Sequence, residues 1–122
     1  MPRFTNLTPV LTTAQVKATI AFYETVLGFN CETFIEEIGW AILSRNQVKI
    51  MVVRPNEHIP FEKPIFTGSF YFSTENVDAL WQYLKDKVKI CYPLEDFDYG
   101  MREFAIYDIN GYLLQFGEEI TQ

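Results

Sequence analysis

Cysteine, histidine and long apolar runs are scarce in this sequence of 122 residues. Its two cysteines, Cys31 and Cys91, cannot build a disulfide framework, and its single histidine, His58, lies in a segment punctuated by proline. No basic and then apolar leader opens the sequence, and no apolar run approaches the roughly 20 residues of a membrane span. We therefore expect a cytoplasmic protein with no membrane partner, and we expect His58 in a solvent-exposed loop.

Basic residues are outnumbered: 10 Lys and Arg stand against 16 Asp and Glu, which gives a formal net charge of −6. Such a field repels nucleic-acid phosphates and attracts cations, so we expect no nucleic-acid partner. Aromatic residues, in contrast, are abundant at 16%, with 11 Phe and 7 Tyr. A small core needs fewer of them, which indicates that some line a ligand pocket or an oligomer interface.

The chain repeats one order of predicted elements, a strand, a helix and three further strands. The apolar positions of the second helix follow those of the first by 61 residues: Val16, Ile20, Tyr23 and Leu27 correspond to Val77, Trp81, Leu84 and Val88. This coincidence indicates an internal repeat. Thr13 is the predicted N-cap of the first helix, and Gly28 is its predicted left-handed stop.

The repeat predicts a single α+β domain of two βαβββ modules. Module one covers about residues 7–54, a connector about 55–66 and module two about 67–118. Since one module cannot bury its sheet alone, we expect eight strands in an open, curved, barrel-like sheet with the helices outside and a cavity within. Alternation along the strands turns Thr8, Met51, Ser69, Tyr71 and Gln115 toward that cavity.

Three stretches carry a family resemblance: FYETVLGF (residues 22–29), NVDAL (76–80) and DINGYLLQF (108–116). In this order they resemble the vicinal oxygen chelate superfamily, which contains glyoxalase I, extradiol dioxygenases, fosfomycin-resistance enzymes and bleomycin resistance proteins. The stretch YGMREFAIYD (99–108) is similar to the bleomycin-resistance branch. The resemblance implies paired βαβββ modules, in agreement with the repeat.

The resemblance also implies where a metal would bind. Enzymes of the superfamily hold a divalent metal with His, Glu or Gln from four strands. The matching positions here are Thr8, Met51 (or, with a slip of one residue, Ile50), Ser69 and Gln115. Hydroxyls, a thioether and one amide supply no charge to offset dehydration of the ion. We predict that metal binding is lost, that the chain uses no cofactor, and that glyoxalase activity is absent.

Catalytic residues are not evident in the sequence. The cysteines and hydroxyl residues show no spacing that pairs a nucleophile with a base. Glu103 is a candidate base by its place in the motif, and the alternative is that it braces Arg102. Trp40 is either sheet core or a platform for a ligand. Tyr99, beside Gly100, matches a stacking position for planar ligands, and its alternative is an ordinary half-buried loop tyrosine.

These observations favour a metal-free small-molecule binding protein of the bleomycin-resistance type. It would sequester an aromatic ligand that can carry positive charge, in a cavity at a homodimer interface. The predicted ligand-binding residues are Thr8, Trp40, Met51, Ser69, Tyr71, Tyr99, Gly100, Glu103 and Gln115. The alternatives are a glyoxalase-related lyase or isomerase, another metal-independent enzyme, and a structural module whose cavity is filled by side chains.

Overall fold

A computed structural model describes residues 2–58, 61–66 and 68–121. The chain divides into two compact units, Met1–Glu62 and Lys63–Gln122. Each unit is a four-stranded mixed sheet with one helix, in the order βαβββ. The predicted α+β class with two βαβββ modules is therefore confirmed. Residues 59 and 60 of the predicted connector, and residue 67 at the predicted start of module two, lie outside the described residues.

The first unit contains β1 (Val10–Thr12), α1 (Val16–Thr25), β2 (Asn30–Ile35), β3 (Trp40–Arg45) and β4 (Val48–Val53). Its strands lie in the order β1-β4-β3-β2, with β1 parallel to β4 and the other pairs antiparallel. Helix α1 packs against β2, β3 and β4. The buried positions of β3 and β4 alternate, and they face the helix.

The second unit contains β5 (Phe70–Ser73), α2 (Val77–Leu84), β6 (Lys89–Asp96), β7 (Met101–Tyr107) and β8 (Leu113–Glu119). Its strand order, β5-β8-β7-β6, has the same pattern, with β5 parallel to β8. Helix α2 packs against β7 and β8. On the helix side, Phe116 stacks against Phe72 with ring centroids 4.9 Å apart, and Trp81 contacts Phe104 at 5.1 Å. These rings form the core of the unit, as the alternation predicts.

Strand register decides whether Met51 or Ile50 is the counterpart of Gln115, a choice that the sequence leaves open. Val10 pairs with Met51 in the first unit, and Tyr71 pairs with Gln115 in the second. Because Val10 and Tyr71 are equivalent in the 61-residue repeat, Met51 is the counterpart of Gln115. Ile50 is buried and points to the other face.

The start of α1 differs from its prediction. The N-cap is Gln15, whose side chain makes no capping hydrogen bond, so the prediction of Thr13 as N-cap is wrong. Thr13 is buried, and its Oγ1 accepts the Gln15 N–H at 3.0 Å within the turn that precedes the helix. Gly28, with φ +71°, adopts the predicted left-handed conformation just after the helix.

The helices of the described residues are short. The longer of them, α1, has 10 residues, and within the described ranges there is no helix with the length and apolar character needed to cross a bilayer.

Candidate functional site

A carboxylate lies at the centre of the candidate site in the second unit. Glu103, on β7, is only 1% exposed. Its Oε1 accepts a hydrogen bond from the Tyr71 hydroxyl at 2.9 Å, and its Oε2 accepts one from Tyr92. Two tyrosines, one from β5 and one from β6, thus converge on one buried acid.

The surroundings favour the protonated form of the phenols of Tyr71, Tyr92 and Tyr99. Burial, followed by the hydrogen bond to Glu103, raises the pKa of Tyr71 to about 12. The same two causes raise the pKa of Tyr92, and the hydrogen bond from Gln115 opposes them in part. Partial desolvation and then Glu103 raise the pKa of Tyr99. At neutral pH these phenols therefore keep their protons, and Tyr71 and Tyr92 act as donors to the carboxylate.

Two further polar side chains extend the hydrogen bonds toward the end of β5. Gln115 Nε2 donates to the Tyr92 hydroxyl oxygen at 2.9 Å, and Gln115 Oε1 accepts from the Ser69 hydroxyl. Ser69, directly before β5, is exposed, and Gln115 is half-buried. We call the five residues Ser69, Tyr71, Tyr92, Glu103 and Gln115 the tyrosine–glutamate cluster. The structure brings together four predicted ligand-binding residues and adds Tyr92 to them.

Gly117 provides the space in which Tyr71 reaches Glu103. It lies on β8 and pairs with Ser73 on one side and Glu103 on the other. A Cβ at this position would lie 2.6 Å from Tyr71 Cζ and 3.1 Å from Cε1, and nearer still to the hydroxyl oxygen. Carbon atoms in ordinary contact are about 3.5–4.0 Å apart. Only glycine therefore accommodates the Tyr71 ring in its observed position.

An aromatic ladder continues from the cluster to the surface. Tyr92 meets Phe97 edge to face at 5.5 Å, and Phe97 stacks on Tyr99 at 5.5 Å with an interplanar angle of 12°. Tyr99 is 64% exposed. Gly100, with φ +87°, turns the chain there, and its N–H donates to the Phe97 carbonyl at 3.0 Å. Tyr99 is thus supported from one side by Phe97.

Arg102 does not contact Glu103, which removes the alternative that Glu103 braces it. The Arg102 guanidinium pairs with Asp96 at 2.7 Å and with Asp78 at 3.1 Å. Successive residues of a strand point to opposite faces, so Arg102 and Glu103 are separated by the sheet. Asp96 is consequently compensated by Arg102, and the acidic character of the cluster comes from Glu103.

The remaining predicted residues belong to the first unit. Thr8 is half-buried and precedes β1, because the strand predicted to begin at Leu7 begins at Val10, three residues later. Met51 and Trp40 are half-buried on β4 and β3, where Trp40 pairs with Val53. Their neighbours Ala41 and Val52 are fully buried toward α1. Trp40 therefore lies on the sheet face away from the helix, which is the face predicted for a ligand.

The residues at the family's metal positions do not suit a metal ion. The Ser69 hydroxyl donates a hydrogen bond to the Gln115 oxygen, and the Gln115 nitrogen donates one to Tyr92. Thr8 and Met51 offer a hydroxyl and a thioether, which bind hard divalent ions poorly. In the part of the chain that the structure describes, no three His, Cys, Asp or Glu side chains are grouped as metal ligands.

Sequence patterns did not single out Tyr92, Phe97 or Gly117 as site residues. Two signals were available. Alternation along KICYPLED puts Ile90, Tyr92 and Leu94 on one face of a strand. Gly117 ends the predicted strand segment 112–117, and a glycine within a strand marks a close approach by another group. Neither signal identifies the partner of these residues, because the partner comes from a different strand.

Comparison with known proteins gives a family and a fold. Residues 6–116 match the model of the Glyoxalase/Bleomycin resistance protein/Dioxygenase superfamily. No curated protein matches the chain in sequence.

Solved structures share the fold at low identity. A bleomycin-binding protein from bleomycin-producing Streptomyces verticillus, complexed with copper(II)-bleomycin, is 24% identical over the whole of both chains, with a TM-score of 0.70. TioX from Micromonospora sp. ML1 is 22% identical over 94% of this chain and 100% of its own, with a TM-score of 0.75. A lactoylglutathione lyase from Agrobacterium tumefaciens is 18% identical over 97% of this chain and 96% of its own, also with a TM-score of 0.75. A binding protein and a lyase thus share this fold.

Proposed function

The chain belongs to the glyoxalase/bleomycin resistance protein/dioxygenase superfamily, and from this premise we propose that it is a metal-free small-molecule binding protein. In this proposal it sequesters an aromatic ligand that carries positive charge, as an antibiotic resistance protein of the bleomycin-binding type would. The observation that carries the proposal is the tyrosine–glutamate cluster with the exposed Tyr99 beside it.

Charge and aromatic surface together support this choice of ligand. Glu103 is buried, and among the described residues it has no ion pair with a Lys, Arg or His. A buried anion without a cationic partner is costly, and a cationic ligand nearby reduces that cost. Tyr71 and Tyr99 present exposed rings, and a cation over such a ring gains about 0.5–2 kcal/mol.

The same contacts argue against a metal-dependent reaction at this site. A metal ligand must point a lone pair at the ion, and both ends of the Gln115 amide are oriented by hydrogen bonds within the cluster. The oxygen that would coordinate an ion is Gln115 Oε1, and turning it toward a metal would disturb its hydrogen bond from Ser69 and leave that exposed hydroxyl to bond elsewhere. Sequestration needs no such rearrangement.

The proposed assembly is a homodimer with the ligand cavity at its interface. Exposed apolar side chains are its support: Ile65 and Phe66, in the segment between the sheets, are 78% and 73% exposed. Large exposed apolar groups that lie together commonly mark contact surfaces. The predicted ligand residues Thr8, Trp40 and Met51 belong to this part of the proposal.

An enzyme is the second candidate, and one observation favours it. Glu103 is linked to Tyr71 and Tyr92 by hydrogen bonds along which a proton can move. A metal-independent lyase or isomerase would use such a carboxylate as its base. Turnover of a hemithioacetal substrate by metal-free protein, abolished in Glu103→Gln, would favour this candidate over sequestration.

Binding measurements on Tyr99 variants test the sequestration proposal. A thermal-shift screen of planar cationic compounds, bleomycin among them, should raise the melting temperature in metal-free buffer. For any compound that binds, Tyr99→Ala should weaken affinity by about 1–2 kcal/mol, the scale of one aromatic contact, in titration calorimetry. Tyr83→Ala is the matched control, because Tyr83 is a similarly exposed tyrosine on α2. Equal losses in the two variants would remove Tyr99 from the site.

A further inference from the structure

The direction of every hydrogen bond in the tyrosine–glutamate cluster follows from Glu103. A carboxylate accepts hydrogen bonds and has no proton to donate. Tyr71 and Tyr92, which contact its two oxygens, must therefore both donate their hydroxyl protons to it. One buried acid thus determines the orientation of two phenol hydroxyls.

The same reasoning extends outward through Gln115. The Tyr92 proton is already given to Glu103, so the Tyr92 oxygen can only accept from Gln115, which must present its NH₂ group. The Gln115 carbonyl then faces Ser69, and Ser69 must donate its proton to it. This chain of donors also assigns the Gln115 amide, whose two ends are otherwise hard to distinguish.

The outer groups of the cluster are consequently hydrogen-bond acceptors. Ser69 and Tyr71 are exposed, and both of their hydroxyl protons are used inward. What they can offer a ligand is the lone pairs of their oxygens. The second N–H of Gln115 is the donor that the cluster retains, and Gln115 is half-buried behind them.

We infer that the group recognised at Ser69 and Tyr71 is a cation that donates N–H hydrogen bonds, namely an amidinium, a guanidinium or a primary ammonium. This inference rests on the proposed function and narrows its ligand class. A carboxylate or phosphate would meet two acceptor oxygens with Glu103 behind them. A quaternary ammonium would gain ring contacts but leave both acceptors without a donor, and an unmatched acceptor lowers affinity.

Four phenyl compounds of similar size separate these possibilities: benzamidine, phenyltrimethylammonium, benzamide and benzoate. The first is a cation with N–H donors, the second a cation without them, the third neutral and the fourth an anion. Binding is followed by NMR titration of isotope-labelled protein at low salt, since ligands this small bind weakly. We expect benzamidine to bind about 10-fold more tightly than phenyltrimethylammonium, the effect of one charge-assisted hydrogen bond.

Two variants test whether this preference comes from the cluster. Tyr71→Phe keeps the ring and removes the acceptor oxygen, and Ser69→Ala removes the other acceptor at an exposed position. Each should lower the 10-fold preference to about 3-fold or less, while Tyr83→Phe leaves it unchanged. Thermal melting of each variant verifies folding, and Ser69→Ala alone suffices if Tyr71→Phe is unstable.

The outcomes distinguish this inference from the proposed function. Equal affinity for benzamidine and phenyltrimethylammonium would overturn the inference and leave binding of aromatic cations intact. An unchanged preference in folded Ser69→Ala and Tyr71→Phe would also overturn it. Preferred binding of benzoate, or binding of none of the four compounds, would refute the proposed function together with the inference.

Discussion

Substitution of Gly117 by alanine tests how the position of the Tyr71 ring determines its hydrogen bond to Glu103 and its pKa. The added Cβ would lie 2.6 Å from Tyr71 Cζ, about 1 Å short of ordinary contact. The φ angle of Gly117 is not in the left-handed region, so alanine fits the backbone. The strain therefore falls on the Tyr71 ring, which must move outward and lose its 2.9 Å hydrogen bond to Glu103.

Gly117→Ala should lower stability moderately and change the pKa of Tyr71 strongly. Replacing a strand glycine by alanine gains about 0.5–1 kcal/mol from the unfolded chain. Loss of a hydrogen bond to the buried Glu103 carboxylate costs about 1.5–3 kcal/mol, so the net effect is a destabilisation of about 1–2 kcal/mol. The pKa of Tyr71, which burial and Glu103 raise to about 12, should fall toward the ordinary value of about 10.

The assay is a pH titration of protein labelled at the tyrosine ring carbon that bears the hydroxyl, with Tyr71 assigned from a Tyr71→Phe spectrum. In the parent protein the Tyr71 signal should stay in its protonated position to about pH 11, and in Gly117→Ala it should titrate near pH 10. Gly68→Ala is the control, because a Cβ at Gly68 meets no atom within 4 Å. Identical Tyr71 titrations in parent and Gly117→Ala would refute the steric argument.

Three further predictions concern pH, metal and assembly. The phenols of Tyr71 and Tyr92 have raised pKa values in the folded state, so the stability they contribute is complete below about pH 10 and is lost as the pH rises toward 12. The free energy of unfolding in urea should therefore be lower at about pH 11 than at about pH 8, and this difference should be smaller in Tyr92→Phe. Equal free energies at the two pH values would contradict the prediction. Elemental analysis of chelator-free protein should find less than one equivalent of zinc, nickel, manganese or iron, because Thr8, Met51, Ser69 and Gln115 supply no charged ligand; a stoichiometric metal would refute this. Analytical ultracentrifugation at micromolar concentration should give a species of twice the 14.3 kDa chain mass, and a purely monomeric sample would exclude the homodimer.

Several features of the fold follow from local sequence. The apolar stripes at Ile20 and Tyr23 and at Val77 and Leu84 have helical spacing, and all four side chains are buried. Gly28 ends its helix with a positive φ, as a residue without a Cβ readily does. These features depend on neighbours a few residues away along the chain, so the period of the pattern is enough to predict them.

The start of α1 illustrates the limit of such reasoning. Thr13 is a good N-cap by residue type, but its side chain is buried and bonds within the preceding turn. Packing around Thr13 decides whether its hydroxyl caps the helix or bonds within the preceding turn. Residue type alone does not encode that packing.

The amino-acid sequence by itself determined that this protein is a repeated βαβββ chain, and it indicated that the residues at the family's metal positions are ill suited to a metal. Tertiary structure alone decided which residues surround Glu103. Glu103, Tyr71 and Tyr92 lie on three different strands, and Gly117 on a fourth makes room for them. Contacts between strands depend on register and side-chain reach across the sheet, and strand alternation specifies a face without specifying a partner. For this reason Glu103 was identified as a candidate from its motif, while the tyrosines that surround it became evident only in the folded chain.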